Sequence, residues 1–183
     1  RPPHLIGRLA LLQSIDRSLR LRHAVVIAGP GGMGKSRLLG QALTSHESAL
    51  LVAARAGDRL QPGASLARVL SAALERFAPE LDPEVQRDLA VLLPEAGMPA
   101  AQVQSALEHR RVLGAAVRVL QACARRGLGV LAIDDLQFAD DASLAALRVL
   151  LGAWAAEEDA PGRTLPVPVL ALRDAELPEE GHA

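Results

Sequence analysis

Gly29, Pro30, Gly31, Gly32, Met33, Gly34, Lys35 and Ser36 satisfy the spacing G-x-x-x-x-G-K-[S/T], and they stand between two segments of different periodicity. Before them comes Ala24, Val25, Val26, Ile27, Ala28, a short, continuous, β-branched run that predicts a strand buried on both faces. After them Leu38, Leu39, Ala42 and Leu43 recur at helical spacing. Strand, glycine-rich loop and helix open a βα unit. The glycines let successive backbone N–H groups converge on phosphate oxygens, and the helix N-terminus adds its positive end to the same place. Lys35 is expected to neutralise β and γ phosphates, and the Ser36 hydroxyl to ligate a Mg²⁺ that bridges them. Lys35 is also the single lysine beside nineteen arginines. A compact ammonium enters a phosphate cradle that a planar guanidinium does not fit, so its identity is informative.

The rest of the chain continues the alternation. Leu9, Leu12, Ile15 and Leu19 predict an amphipathic helix over 8–21. A second strand is expected at 49–54, then a polar turn region at 55–63 and a helix whose apolar face is Leu66, Val69, Leu70, Ala73, Leu74 and Phe77. A shorter helix follows, capped by Asp82, with Pro83 at its first position, Val85, Leu89 and Leu92 inward, and its end at Pro94. Ser105 and Glu108 have capping-box spacing for a helix carrying Leu113, Ala116, Val117, Leu120 and Ala124, which stops at Gly127. The strand at 130–133 runs directly into Asp134 and Asp135. A helix starting near 141–143 carries Leu144, Leu147, Val149, Leu150 and Leu151, a loop occupies 157–163, and a last strand spans 167–172 and ends at Arg173. Strands alternating with helices imply a parallel sheet with helices on both faces.

In such sheets ligands bind outside the carboxyl ends of the strands, which is where Asp134 and Asp135 fall. Asp134 is expected to hold Mg²⁺ and Asp135 to orient or deprotonate an attacking water; Arg173, at the same edge, is suited to registering a γ-phosphate. A competing pattern, G-x-G-x-x-G through Gly29, Gly31 and Gly34, would mark a dinucleotide site. It wants an acid at the end of the second strand, but the strand ends at Arg55 with Asp58 beyond it in the loop, and an NADP variant with Arg55 on a 2′-phosphate would leave Lys35, Ser36 and the acidic pair unexplained.

Composition removes other classes. Half of the 183 residues are hydrophobic and 22% charged, which excludes a disordered chain. A net charge of −1 gives no bulk drive toward nucleic acid or anionic membrane, and 2% aromatics cannot form a base-stacking platform. Cys123, the sole cysteine, is expected to be a small core residue, and the five histidines have no metal-ligand spacing. Trp154 and Met33 read as packing residues and the acids between 75 and 95 as solvated helix faces.

Taken together, Leu5-Ile6-Gly7-Arg8, the loop GPGGMGKSRLL, the block VLAIDDLQFADDASLAAL, the stretch QPGASLARVLSAAL and the strand VLALRD resemble the nucleotide-binding domain of the signal-transduction ATPases with numerous domains (STAND). This is the AAA-type ATPase module of large bacterial LuxR-type and related transcriptional regulators. The sequence departs from that pattern where Leu9, Ala10 and Leu11 follow Arg8 in place of a frequent Glu, and where Phe138 replaces a frequent Trp. The resemblance implies a three-layer α/β P-loop NTPase with a parallel sheet. It implies one nucleotide-binding domain over 1–183 with a helical insertion at about 64–126, excerpted from a larger protein before its last strand and helical lid; the lone cysteine makes a cytoplasmic setting the expectation. The implied ligands are ATP or ADP with Mg²⁺. The implied site comprises residues 29–36, Arg37 and Arg8 around the nucleotide, Ser36 and Asp134 at the metal, and Lys35, Asp135 and Arg173 in catalysis. Implied partners are ATP, the lid and output domains of the same chain and a second copy on activation, without direct nucleic-acid or membrane contact. The expected function is a slowly hydrolysing regulatory switch. The alternatives are a small-molecule or nucleotide kinase, which needs an acceptor site, and a non-hydrolysing nucleotide-stabilised scaffold.

Overall fold

The computed structural model describes residues 8–90, 92–93, 106–157 and 164–173. Four strands, β1 (Val25–Ala28), β2 (Ala49–Ala53), β3 (Val130–Asp134) and β4 (Val167–Leu172), form one parallel sheet in the order β1-β4-β3-β2. Among the described residues six helices surround it: α1 (Leu9–Arg20), α2 (Lys35–Leu43), α3 (Ala64–Phe77), α4 (Pro83–Leu89), α5 (Ala106–Arg125) and α6 (Asp141–Ala156). Short 3₁₀ turns occupy Ala56–Leu60 and Leu136–Phe138.

The strands alternate side chains between two cores, as the period of two requires. Ile27, Ala49, Val130, Ala132, Val167, Val169 and Ala171 pack with α1 and α2 on one face, around Ile15, Leu19, Leu38, Leu39 and Ala42. Leu50, Val52, Leu131, Ile133, Leu170 and Leu172 pack on the other with Leu66, Leu70, Ala116, Leu120 and Leu150 from α3, α5 and α6. Three layers result, and the expected α/β architecture holds. The central strands β3 and β4 are buried on both faces throughout.

β1 departs from expectation. It lies at the margin of the sheet among the described residues, covered by α1 and α2 on one face only, so Val26 is 62% exposed. A β-branched run signals a strand but does not say which faces neighbours will cover. Other departures have the same cause. Leu9 and Val149 point outward, and Met33 is 54% exposed in the loop rather than packed. On α5 the fully buried stripe is Val112, Ala115, Ala116, Val119, Leu120 and Cys123, rotated from the expected face so that Leu113, Val117 and Ala124 are only partly covered. Asp88, expected in solvent, is buried beside Arg111 at 3.4 Å and Arg118 at 3.7 Å, an ion cluster joining α4 to α5. Asp82 and Pro83 begin α4 as expected, although the Asp82 side chain makes no capping bond and α4 ends at Leu89. The proposed cap at Ser105 and most of the loop at 157–163 lie outside the described residues. Trp154 packs against the α3–α5–α6 core. Among the described residues no helix is long and apolar enough to cross a membrane.

A buried carboxylate joins α3 to α6. Asp140 is the N-cap of α6, accepting from Ser143 N at 2.9 Å and from Ser143 Oγ at 2.7 Å. It also accepts from Gly63 N at 2.6 Å and Ser65 N at 3.2 Å, while Ser143 Oγ accepts from Leu66 N at 2.8 Å. The amides that begin α3, which no intrahelical carbonyl can serve, are thus satisfied by residues of α6. Burial pushes the Asp140 carboxyl up, but the bonds from the Ser143 hydroxyl and the three amides outweigh it and hold the pKa below the ordinary 3.8.

Because this folded-state pKa lies below the unfolded one, the Asp140 contribution is complete above roughly pH 5 and is lost as pH falls through the folded value. Asp140→Ala should cost roughly 3 kcal/mol, from two lost caps and buried N–H groups left without acceptors. Denaturant titrations should show that loss at pH 7 and a shallower acid decline in the variant than in the wild type; equal stability at pH 7 would refute the double cap. Burial pushes the Cys123 thiol up to about 11. It should resist thiol reagents at pH 8 in the native protein and react at once in denaturant.

Candidate functional site

The parallel register fixes which residues meet at the carboxyl edge. Ala28 pairs with Leu172, so Gly29 and Arg173 leave β1 and β4 side by side. β3 flanks β4 on its other side and ends at Asp134. The glycine loop, Arg173 and the acidic pair, expected from separate parts of the sequence, therefore share one edge.

Within the loop, Gly32 (φ 76°) and Gly34 (φ 74°) adopt left-handed backbone that side-chain-bearing residues rarely accept. A Cβ added at Gly32 would meet nothing within 4 Å, so this part of the loop faces open space. Lys35 begins α2, and its Nζ donates back to Gly29 O at 2.7 Å and Pro30 O at 2.8 Å, holding the ammonium over the start of the loop. Ser36 and Arg37 follow in the first turn of α2, both exposed. Arg8, which precedes α1, donates from Nη1 to Gly34 O at 3.5 Å and from Nη2 to Met33 O, so it grips the loop through its carbonyls.

Arg173 reaches the loop from β4. A methyl added at Gly31 would stand 3.5 Å from its Nη1, and its guanidinium carbon lies 5.6 Å from the centre of the Phe138 ring. Asp174 and Glu176, the nearby acids with which a solvated strand-end arginine would pair, lie outside the described residues. Asp134 is buried, and its Oδ1 accepts from Asp135 N at 2.8 Å. Asp135 is partly exposed and left-handed (φ 52°), a conformation that Asp and Asn tolerate better than most residues.

Gln137 escaped the sequence reading. It is 2% exposed, donates from Nε2 to Asp135 Oδ1 at 2.8 Å, and accepts at Oε1 from Arg173 N at 3.1 Å. Arg59, from the turn after β2, donates from Nε to Gln137 O at 3.0 Å. The available signal was a polar residue between Leu136 and Phe138, which alone does not distinguish a buried amide from an exposed one.

The dinucleotide alternative loses its acid here. Asp58 is buried, accepting from Arg55 N at 3.0 Å, from Ser65 Oγ at 2.8 Å and from the Arg68 guanidinium. Burial pushes its carboxyl up, and these bonds more than compensate, leaving the pKa lowered. Its oxygens are engaged in holding the start of α3.

An oxygen donor set of the Ser36 hydroxyl and the Asp134 carboxylate beside an open glycine loop suits a hard cation such as Mg²⁺ accompanying phosphates. No curated protein matches the sequence. The family model described as AAA ATPase domain matches residues 4–163, a span containing the loop, Lys35 and the acidic pair. By its fold and by that match, the chain belongs to the AAA ATPase domain family, a family of ATP-binding domains.

Proposed function

We propose that this domain is an ATP-driven conformational switch: the nucleotide-binding module of a cytoplasmic, multidomain regulator of the STAND class, as in LuxR-type transcriptional regulators. Slow hydrolysis resets it. The observation that best supports this reading is the Arg173 guanidinium lying against Gly31 of the loop. A switch must distinguish ATP from ADP, and a cation that follows the adjacent strand and lies beside the phosphate loop is suited to that task.

In this reading residues 1–183 are one nucleotide-binding domain, with the segment at about 64–126 inserted as helices. The loop amides of residues 29–34 and the N-terminus of α2 bind phosphate oxygens, and Lys35 neutralises the β and γ phosphates. Arg8 steadies the loop through its Met33 and Gly34 carbonyls. Arg37 lies within the same first turn of α2. Ser36 and Asp134 would hold Mg²⁺, which would supply neutralisation of the phosphate charge. Asp135 orients the water that attacks the γ-phosphorus and accepts its proton, while Arg173 contacts the γ-phosphate. The further lid and output domains of the regulator, and a second copy on activation, are the partners through which the state is read.

Mg-ATP and Mg-ADP should each raise Tm, because a ligand bound only by the native state stabilises it by RT ln(1 + [L]/Kd), and NADPH should not. Lys35→Ala should abolish the shift while leaving the unliganded Tm near its original value. An unchanged nucleotide shift in that variant would refute the phosphate-loop assignment.

Asp134→Asn should weaken the Mg²⁺ dependence of binding. Asp135→Asn, which retains an acceptor for Gln137 and a residue that tolerates the left-handed backbone, should spare binding and slow hydrolysis. The reverse ranking would exchange their roles. Arg173→Ala should lose roughly 1.5–3 kcal/mol of ATP affinity, the range for a hydrogen bond to a charged group, with ADP affinity nearly unchanged. Isothermal titration with both nucleotides decides this, since equal losses would remove the proposed sensor.

A further inference from the structure

The proposed γ-phosphate contact and the proposed water-orienting carboxylate stand on different strands, yet one buried side chain touches both segments. The Gln137 amide donates to Asp135 Oδ1 at 2.8 Å and accepts from Arg173 N at 3.1 Å. Its orientation is dictated by its partners. A backbone N–H can only donate and an ionised carboxylate can only accept, so a single arrangement of the amide satisfies both. The residue is held on a third side as well, because Arg59 Nε donates to its carbonyl oxygen at 3.0 Å. With 2% of its surface exposed, the amide has no room to exchange these partners for water.

We infer that Gln137 is a positioning residue, whose amide couples the backbone of Arg173 to the carboxylate of Asp135. Contact of Arg173 with a γ-phosphate and aim of Asp135 at the attacking water thereby become one event. This inference rests on the switch reading above and adds the element that links its sensor to its chemistry. If the end of β4 shifts when Arg173 engages phosphate, the amide follows the Arg173 N–H and takes the carboxylate with it. Without the amide, the Asp134 carboxylate would still hold the left-handed Asp135 backbone (φ 52°) through the Asp135 N–H at 2.8 Å, but the Asp135 carboxylate would lose the Gln137 donor that aims it.

Two substitutions separate the halves of the bridge. Gln137→Glu keeps an acceptor for Arg173 N but replaces the neutral donor with a carboxyl that must share a proton with Asp135, so Asp135 is no longer free to accept from water; Gln137→Met removes both bonds. For folded variants, judged by Tm and far-UV circular dichroism, single-turnover hydrolysis should fall about 10–100-fold in each, the scale of a lost general-base contribution. Gln137→Glu should keep ATP and ADP affinities within about threefold of wild type, as expected when only the Asp135 side is altered. Gln137→Met should in addition lose ATP affinity selectively, narrowing the ATP-to-ADP preference. Combining Gln137→Met with Arg173→Ala should give a turnover loss well short of the product of the single losses, because both act through one linkage.

Unchanged turnover in either folded variant overturns the inference. So does a loss of ATP and ADP affinity in equal measure, which a merely structural role would give, and so do fully multiplicative effects in the double variant. A wild-type protein that binds ATP without hydrolysing it also overturns it while leaving nucleotide binding intact. Failure of the switch reading itself is seen elsewhere: in a wild type whose Tm ignores nucleotide, or in Lys35→Ala that still responds.

Discussion

The Asp140 carboxylate is the point on which the geometry of the carboxyl edge depends. It caps α6 and, with the Ser143 hydroxyl, receives the amides of Gly63, Ser65 and Leu66 that start α3. Placing a carboxylate at 3% exposure is costly unless its oxygens are saturated, and here four hydrogen bonds saturate them. The same residue closes the segment that begins with Asp134, Asp135 and Gln137, so the strand end, the following turn and two helices are fixed together. Asp58 extends the tie by holding Ser65 and Arg68 of α3 to the turn after β2.

On this frame the sheet order decides which chemistries meet. β4 lies between β1 and β3, and Arg173, the residue that follows it, therefore faces the glycine loop on one side and the acidic segment on the other. Left-handed backbone gathers at this edge, at Gly32, Gly34 and Asp135. Backbone of this kind costs energy and persists where surrounding contacts over-determine it; the Gln137 amide and the Asp134 carboxylate are those contacts at Asp135.

With few aromatics, the protein builds its cores from Leu, Val, Ile and Ala and assigns much of its inter-segment joining to arginine. Arg22 donates to Leu165 O, Arg59 to Gln137 O, Arg76 to Glu47 O and Arg8 to the loop carbonyls. A guanidinium carries five donors in a planar fork, so one side chain can satisfy carbonyls that no strand or helix serves, at a distance from its own backbone. Lysine appears only at the loop, where a point charge suits the proposed phosphate contact.

Much of this was legible in the chain itself. The glycine spacing, the β-branched runs and the 3.6-residue stripes of α2 and α3 predicted strands, helices and a parallel three-layer order, because local periodicity is imposed by backbone geometry and needs no distant partner. The carboxyl-edge location of Asp134, Asp135 and Arg173 followed from parallel topology. Coverage was not legible: Val26 on half-covered β1, the rotation of the α5 stripe and the burial of Asp88 depend on which neighbours arrive, and hydrophobicity says only that some neighbour is wanted. Nor were the long-range polar ties, since Gln137 to Arg173 spans 36 residues and Asp140 to Gly63 spans 77. By itself the sequence determined the element types and the phosphate-loop motif, both set by residues adjacent along the chain. Only the tertiary structure decided that a buried glutamine joins Asp135 to Arg173 and that one aspartate caps two helices, because hydrogen-bond partners are chosen by distance in space.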